Sequence, residues 1–306
     1  MRPLTAISGS LLLAACLLAT GASAQTVGSE GLSPTLSAIK NAHTVRLGYR
    51  ESSPPFSFLD QANRPIGYSL ELCEAIVEEI GVEVDDPNLK IDYVKVTSDD
   101  RIDAVLQNKI DLECGSTTAN SERGKRVAFS PLMFVAGTKL MVPKASSVQA
   151  LTDLKGKTIV VTKGTTNEQA IQAADKKFSL GLKIVVGADH EQSYQMLVDG
   201  KADAFATDDI LLSGLIVRHK AQDKFRVTGD YLSYDPYGIM FRKGDPQLSA
   251  VVDRTFRKLG SNHDLVPLYN KWFIARMPTG EKMSVPISLQ LEEAFKAMDD
   301  SASANN

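Results

Sequence analysis

The chain is poor in the residues from which much metal and redox chemistry is built. Its 306 residues hold three cysteines, one tryptophan and four histidines. Neither CxxC nor the His/Cys spacing of a metal site occurs, which excludes a zinc module, and no metal is expected. Charge of one sign is lacking too: 34 basic against 37 acidic residues give a net −3, which removes nucleic acid as a global partner. Beyond the amino terminus no apolar run is long enough to cross a bilayer. What is there, 43% hydrophobic and 23% charged, is ordinary globular composition with length for two moderate domains or one large one.

The first 24 residues stand apart. Arg2 supplies a short positive region, "SLLLAACLLA" (Ser10 to Ala19) an apolar stretch, and "ASA" (Ala22 to Ala24) a small-residue cleavage site before Gln25. This is the plan of an export signal over residues 1–24, so the mature protein is expected outside the cytoplasm. The run "LAAC" (Leu13 to Cys16) has the leucine-small-small-cysteine form of a bacterial lipoprotein signal, which leaves Cys16 as a minor alternative anchor. Cys73 and Cys114 then remain, either as a disulfide or as two buried thiols; the sequence leaves both open.

Strand and helix patterns alternate. "TVRLGYR" (Thr44 to Arg50) reads as a strand, and "SLELCEAIVEEIG" (Ser69 to Gly81) puts Leu72, Cys73, Ile76, Val77 and Ile80 on one helical stripe. "KIDYVKV" (Lys90 to Val96), a helix from Ser98 to Lys109, and "IDLEC" (Ile110 to Cys114) follow. "GKTIVVT" (Gly156 to Thr162) starts the pattern again, with a helix from Thr166, "LKIVVG" (Leu182 to Gly187), a helix from Glu191 to Asp199 and "ADAFAT" (Ala202 to Thr207). Strands separated by helices imply an α/β fold of two lobes, each a mainly parallel sheet flanked by helices. The strand and helix of residues 237–260 are expected to rejoin the first lobe. That makes lobe 1 discontinuous (36–136 plus 238–279) and lobe 2 continuous (137–237), with a cleft between them; 280–306 reads as a terminal helix and tail.

In such sheets ligands sit beyond the carboxyl ends of the strands, facing helix amino termini. Arg50, Ser116 to Thr118, Thr165, Thr166 and Asp208 all fall there, and Ser98 opens a helix in the same layer. Each has a plain structural reading as well. "TTNE" (Thr165 to Glu168) has capping-box spacing, Ser98 is an ordinary cap, Arg123, Lys125 and Arg126 read as a solvated helix face, and His190 as a surface histidine. Together, hydroxyls, free helix-terminal amides and an arginine suit a carboxylate, while Asp208 needs a cationic group to face. A zwitterion, an amino acid, satisfies both. Nucleophilic use of Ser116 is disfavoured because "GSTT" lacks the second glycine of G-x-S-x-G, and the G-x-x-x-x-G-K-[ST] phosphate loop is missing.

"GYRESSPPFSFLD" (Gly48 to Asp60), "VTSDDRI" (Val96 to Ile102), "ECGSTTANSERGKRVAFS" (Glu113 to Ser130), "VVTKGTTNE" (Val160 to Glu168) and "DHEQSYQMLVDGKADAFATDD" (Asp189 to Asp209) together resemble the family-3 periplasmic solute-binding proteins of ABC importers, and among them the glutamate/aspartate binders. The resemblance runs from about Leu36 to Met277 and implies the type II periplasmic-binding fold. It implies that Arg123, Ser116, Thr118 and Thr166 hold the ligand's α-carboxylate, Asp208 its ammonium, and Arg50, Ser98, Arg101 and His190 its side-chain carboxylate. A non-enzymatic periplasmic receptor for L-glutamate or L-aspartate is expected, monomeric, without a cofactor, delivering to ABC permease membrane subunits. Cys73 and Ile239 depart from the pattern of close relatives, which leaves the disulfide arrangement unsettled. Two rivals share the scaffold: a cyclohexadienyl dehydratase-like enzyme, with Glu168 or Asp208 as its acid, and a ligand-binding module feeding a sensor.

Overall fold

The computed structural model describes residues 31–303. The export segment read over 1–24, with Cys16, lies outside the described residues, as does the end of the tail. Two five-stranded sheets organise the chain, one in each lobe. The first has the order Lys90–Lys95, Thr44–Tyr49, Leu112–Glu113, Met240–Arg242, Val127–Phe129. Its first three strands are parallel, and Met240–Arg242 runs antiparallel to both of its neighbours. The second repeats the arrangement as Lys183–Gly187, Thr158–Thr162, Ala204–Asp208, Thr138–Pro143, Phe225–Thr228, again three parallel strands followed by antiparallel ones.

The central parallel strands are buried on both faces, as helix-covered sheets require. Ile159, Val161, Ala204 and Ala206 enter one apolar cluster while Val160 and Phe205 enter another, the period-2 alternation of a strand read directly in the packing. In the first lobe, helix Tyr68–Glu83 buries Leu72, Cys73, Ile76, Val77 and Ile80. Each such aliphatic side chain contributes about 1.5–3 kcal/mol of transfer free energy. Helix Leu289–Ser303 lays Leu291 and Phe295 on the same core.

Cys73 and Cys114 form a disulfide with Cα atoms 6.1 Å apart. It ties that helix to the residue preceding Gly115–Thr118, so a polar loop at the carboxyl end of the sheet's central strand is anchored covalently. Between the sheets, Phe134–Ala136 pairs antiparallel with Asp235–Tyr237. Both chain crossings therefore run in one two-stranded ribbon, which also leads Asp235 to the cleft.

One expected element is shorter than its sequence pattern. The helix read over Ser98 to Lys109 spans Arg101–Leu106. Thr97 and Asp100 bond reciprocally, backbone N–H to side chain, at 2.7 and 3.2 Å. They take the capping duty assigned to Ser98, whose hydroxyl instead faces the cleft and accepts from Arg50.

Candidate ligand-binding cleft

Ser98 sits between two buried arginines. Arg50, just past strand Thr44–Tyr49, donates from Nη2 to the Ser98 hydroxyl, and Arg101 donates from Nη1 to the Ser98 carbonyl. Both guanidinium side chains belong to residues only 2% exposed. Burial, then the neighbouring Arg101 charge, pulls the Arg50 pKa down to about 10; burial lowers Arg101 as well. The nearby Glu113 carboxylate opposes both shifts.

The second grouping spans both lobes. Asp235 Oδ1 accepts the Thr118 hydroxyl at 3.0 Å and the Thr166 hydroxyl at 2.8 Å. Thr165, the N-cap of helix Thr166–Phe178, accepts the Glu168 N–H at 3.1 Å, while the Glu168 carboxylate takes the Gly164 N–H at 3.0 Å. Thr165 alone thus does the capping, and Thr166 keeps its hydroxyl for the cleft. Arg123 donates to the Thr118 carbonyl at 2.9 Å and, from the other amino group, to the Gly164 carbonyl at 3.4 Å. Lys125 and Arg126 of the same basic run are exposed, as a solvated face requires, but Arg123 is half-buried and burial pulls its pKa to about 9.

His190 is 2% exposed, not the surface residue that its neighbour Asp189 suggests. One ring nitrogen, Nδ1, lies 3.0 Å from the Ser53 hydroxyl of the other lobe. Burial, with Arg50 and Arg101 nearby, pushes its pKa well below the ordinary range, so the ring is neutral near pH 7. Asp208 ends the central strand Ala204–Asp208 and accepts from Asn167 at 2.8 Å and from the Tyr237 hydroxyl. Burial first and the Asp235 charge second raise its pKa to about 8.

Ser98, Arg101, Ser116, Thr118, Thr166, His190 and Asp208 line one enclosed space with Thr165, Asn167 and Leu211. Arg50 and Arg123 attach to it through Ser98 and Thr118. The space measures about 10 Å³, room for roughly one water. Yet the Arg101 Nε, the Ser116 hydroxyl and the His190 Nε2 are buried there without a hydrogen-bond partner, as are both oxygens of nearby Glu113. Buried polar atoms left unpaired are costly, and their concentration here marks a place built for a polar guest. A larger groove of about 700 Å³, lined by Phe58, Arg218, Arg276 and Lys282 among others, lies elsewhere; it too has unpartnered buried atoms, on Arg218, Thr279 and Glu281, but includes none of the residues to which the sequence points.

Three residues of this layer escaped the sequence reading. Asn167 was next to a predicted site residue; Asp235 and Tyr237 stand on a crossing whose pairing partner is about 100 residues away, so no local pattern points to them. Close approach explains two glycines. A Cβ at Gly164, whose φ is +74°, would lie 2.8 Å from the Ser98 carbonyl oxygen of the facing lobe, and one at Gly115 would lie 2.3 Å from the Glu113 carboxylate. Ser116 and His190 each keep an unpartnered polar atom in the same space, so they are not joined as nucleophile and base.

Comparison with known proteins agrees with this architecture. Residues 45–275 match the family described as bacterial extracellular solute-binding proteins, family 3. The L-glutamate/L-aspartate-binding protein of Pseudomonas aeruginosa is 39% identical over 95% of this chain and 97% of its own length. The glutamate/aspartate import solute-binding protein of Salmonella typhimurium is 35% identical over 95% and 98%. Among solved structures, a mutant ArgBP from T. maritima superposes with a TM-score of 0.70 at 28% identity, covering 78% of this chain and 98% of that one. Fold, cleft and similarity converge, and the chain belongs to the bacterial extracellular solute-binding proteins, family 3.

Proposed function

We propose that this protein is the periplasmic receptor of an ABC importer, capturing L-glutamate or L-aspartate and passing it to a membrane permease, and that it does so as a monomer without catalysis. The observation that carries the reading is the pair Arg50 and Arg101, both buried and meeting at Ser98, with the Arg101 Nε left without a partner. Two desolvated guanidinium groups need an anion. A neutral amino acid leaves them stranded, whereas an acidic one fills them with its side-chain carboxylate. Arg123 and the hydroxyls of Ser116, Thr118 and Thr166 would take the α-carboxylate, Asp208 the ammonium, and neutral His190 would donate or accept through its free nitrogen.

Residues 36–136 plus 238–279 and residues 137–237 would move as two bodies about the ribbon of Phe134–Ala136 and Asp235–Tyr237. A space of about 10 Å³ cannot admit a whole amino acid, so the cleft must open to load and close to hold. Contacts made from both lobes favour the shut state by their differential affinity for it. The acids that a dehydratase would require are engaged in other duties, Glu168 at a helix start and Asp208 between Asn167 and Tyr237. A thermal-shift screen of the twenty amino acids tests the reading. Stabilisation by glutamate and aspartate alone is expected; stabilisation by arginine or leucine without either would overturn it.

A further inference from the structure

Glu113 is the most deeply buried charge in the cleft and the sequence motif gives it no role. Its residue is 0% exposed at the end of strand Leu112–Glu113, held by pairing with Gly48 on one side and Met240 on the other. Neither carboxylate oxygen accepts a hydrogen bond. A carboxylate in that condition is expensive to bury unless positive charge surrounds it. It does: Glu113 interacts favourably with Arg50, Arg101 and Arg123, and its Oε1 and the Arg50 Cγ converge on the position where Gly115 leaves out a Cβ. A hydrogen-bonded ion pair would satisfy Glu113 and use up an arginine. The unpaired placement supplies charge and leaves the guanidinium donors for something else.

We propose that Glu113 is a specificity-determining residue that sets the charge of the distal pocket so that it accepts a side chain bearing a single negative charge. Arg50 and Arg101 contribute two positive charges, the fixed carboxylate offsets one, and one monoanionic group neutralises the rest. A side chain carrying two negative charges overfills the pocket. This rests on the receptor reading above and deepens it, since it concerns which acidic side chains that pocket takes.

O-Phospho-L-serine is the probe, because its side chain has the reach of glutamate and passes from one negative charge to two with a pKa of about 6. Other charged or titratable groups around the cleft are Arg123, His190, Asp208, Asp235 and Tyr237, and Asp99, Asp100 and Asp189 also act on Arg50 or Arg101. They act on both ligands, so the ratio of phosphoserine to glutamate affinity isolates the side-chain charge. In the native protein that ratio should fall at least about fivefold between about pH 5 and pH 7, as the dianion forms. In Glu113→Gln, of nearly the same shape, the ratio should stay flat or rise, exceeding the native ratio at pH 7 at least about tenfold. The same pH course in both proteins, or a variant that gains nothing for phosphoserine, would overturn the proposal. Should the variant fail to fold by circular dichroism, a native ratio that does not fall with pH overturns it equally. If the native protein binds no glutamate at all, the receptor reading itself has failed, an outcome distinct from normal glutamate binding with an unchanged ratio.

Discussion

The hydroxyl oxygens of Thr118 and Thr166 lie 3.2 Å apart across the cleft, although 48 residues separate them in the chain. Each comes from a different lobe, and both donate to Asp235 Oδ1. The two hydroxyls thus clasp Asp235 across the cleft, and because each has a single proton to give, the α-carboxylate proposed to bind here would take the place of Asp235 as their acceptor.

Thr166→Val keeps the shape and removes the clasp's second hydroxyl. Losing this part-buried hydrogen bond to a carboxylate costs about 1.5–3 kcal/mol. Glutamate affinity should fall at least about tenfold, with faster ligand release in stopped-flow measurements. An unchanged release rate would show that the clasp does not hold the cleft shut.

Arg101 gives the opposite separation of binding from stability. Without a carboxylate bonded to it, a buried guanidinium is a burden on the ligand-free fold. Arg101→Met should weaken glutamate binding by about 2–5 kcal/mol in calorimetry while leaving the ligand-free unfolding temperature unchanged or higher. A variant that melts lower yet binds normally would contradict the assignment.

The exposed ion pair Lys163–Asp99, 2.8 Å across the cleft mouth, should matter little. Its side chains are 60% and 46% exposed, and such pairs contribute about 0–1 kcal/mol. Lys163→Ala is expected to change affinity no more than about fivefold, and less at high salt.

If Asp208 receives the ligand's ammonium as proposed, binding should depend on pH. The Asp208 pKa of about 8 means that most molecules hold it protonated near pH 7. A ligand ammonium favours the charged form, so binding below that pKa releases up to one proton. Affinity should therefore rise with pH, by up to about tenfold per unit, and level off above about pH 8. Titrations at pH 6, 7 and 8 in buffers of different ionisation enthalpy measure both effects; pH-independent affinity without proton release would contradict them.

The disulfide closes a loop between residues 41 apart in sequence, worth about 4 kcal/mol by the loop-entropy estimate. Changing Cys73 and Cys114 to alanine should lower the unfolding temperature and loosen the Gly115–Thr118 loop. Equal melting of the native and double-variant proteins would show that the bond adds no stability.

Periodic burial made much of this architecture legible. The stripe on Tyr68–Glu83 and the buried strands around Val160 and Phe205 announce themselves because apolar spacing follows the geometry of the element. What stayed hidden depends on non-local pairing. Helix Pro34–Ala42 has only Ser33 and a proline at its start to announce it, over nine residues. Asp235 reaches the cleft only because its strand pairs with Phe134–Ala136, and Ser98 was assigned a cap that Thr97 provides. Cysteine spacing could not pair Cys73 with Cys114, since their 6.1 Å separation is a property of the helix packing on the sheet.

The most direct test of the charged pocket is a calorimetric comparison of L-glutamate with L-glutamine, which has nearly the same shape but an uncharged side chain. At least about thirtyfold tighter binding of glutamate is predicted, reduced severalfold or more in Arg50→Met. Glutamine bound as tightly as glutamate by the native protein would contradict it.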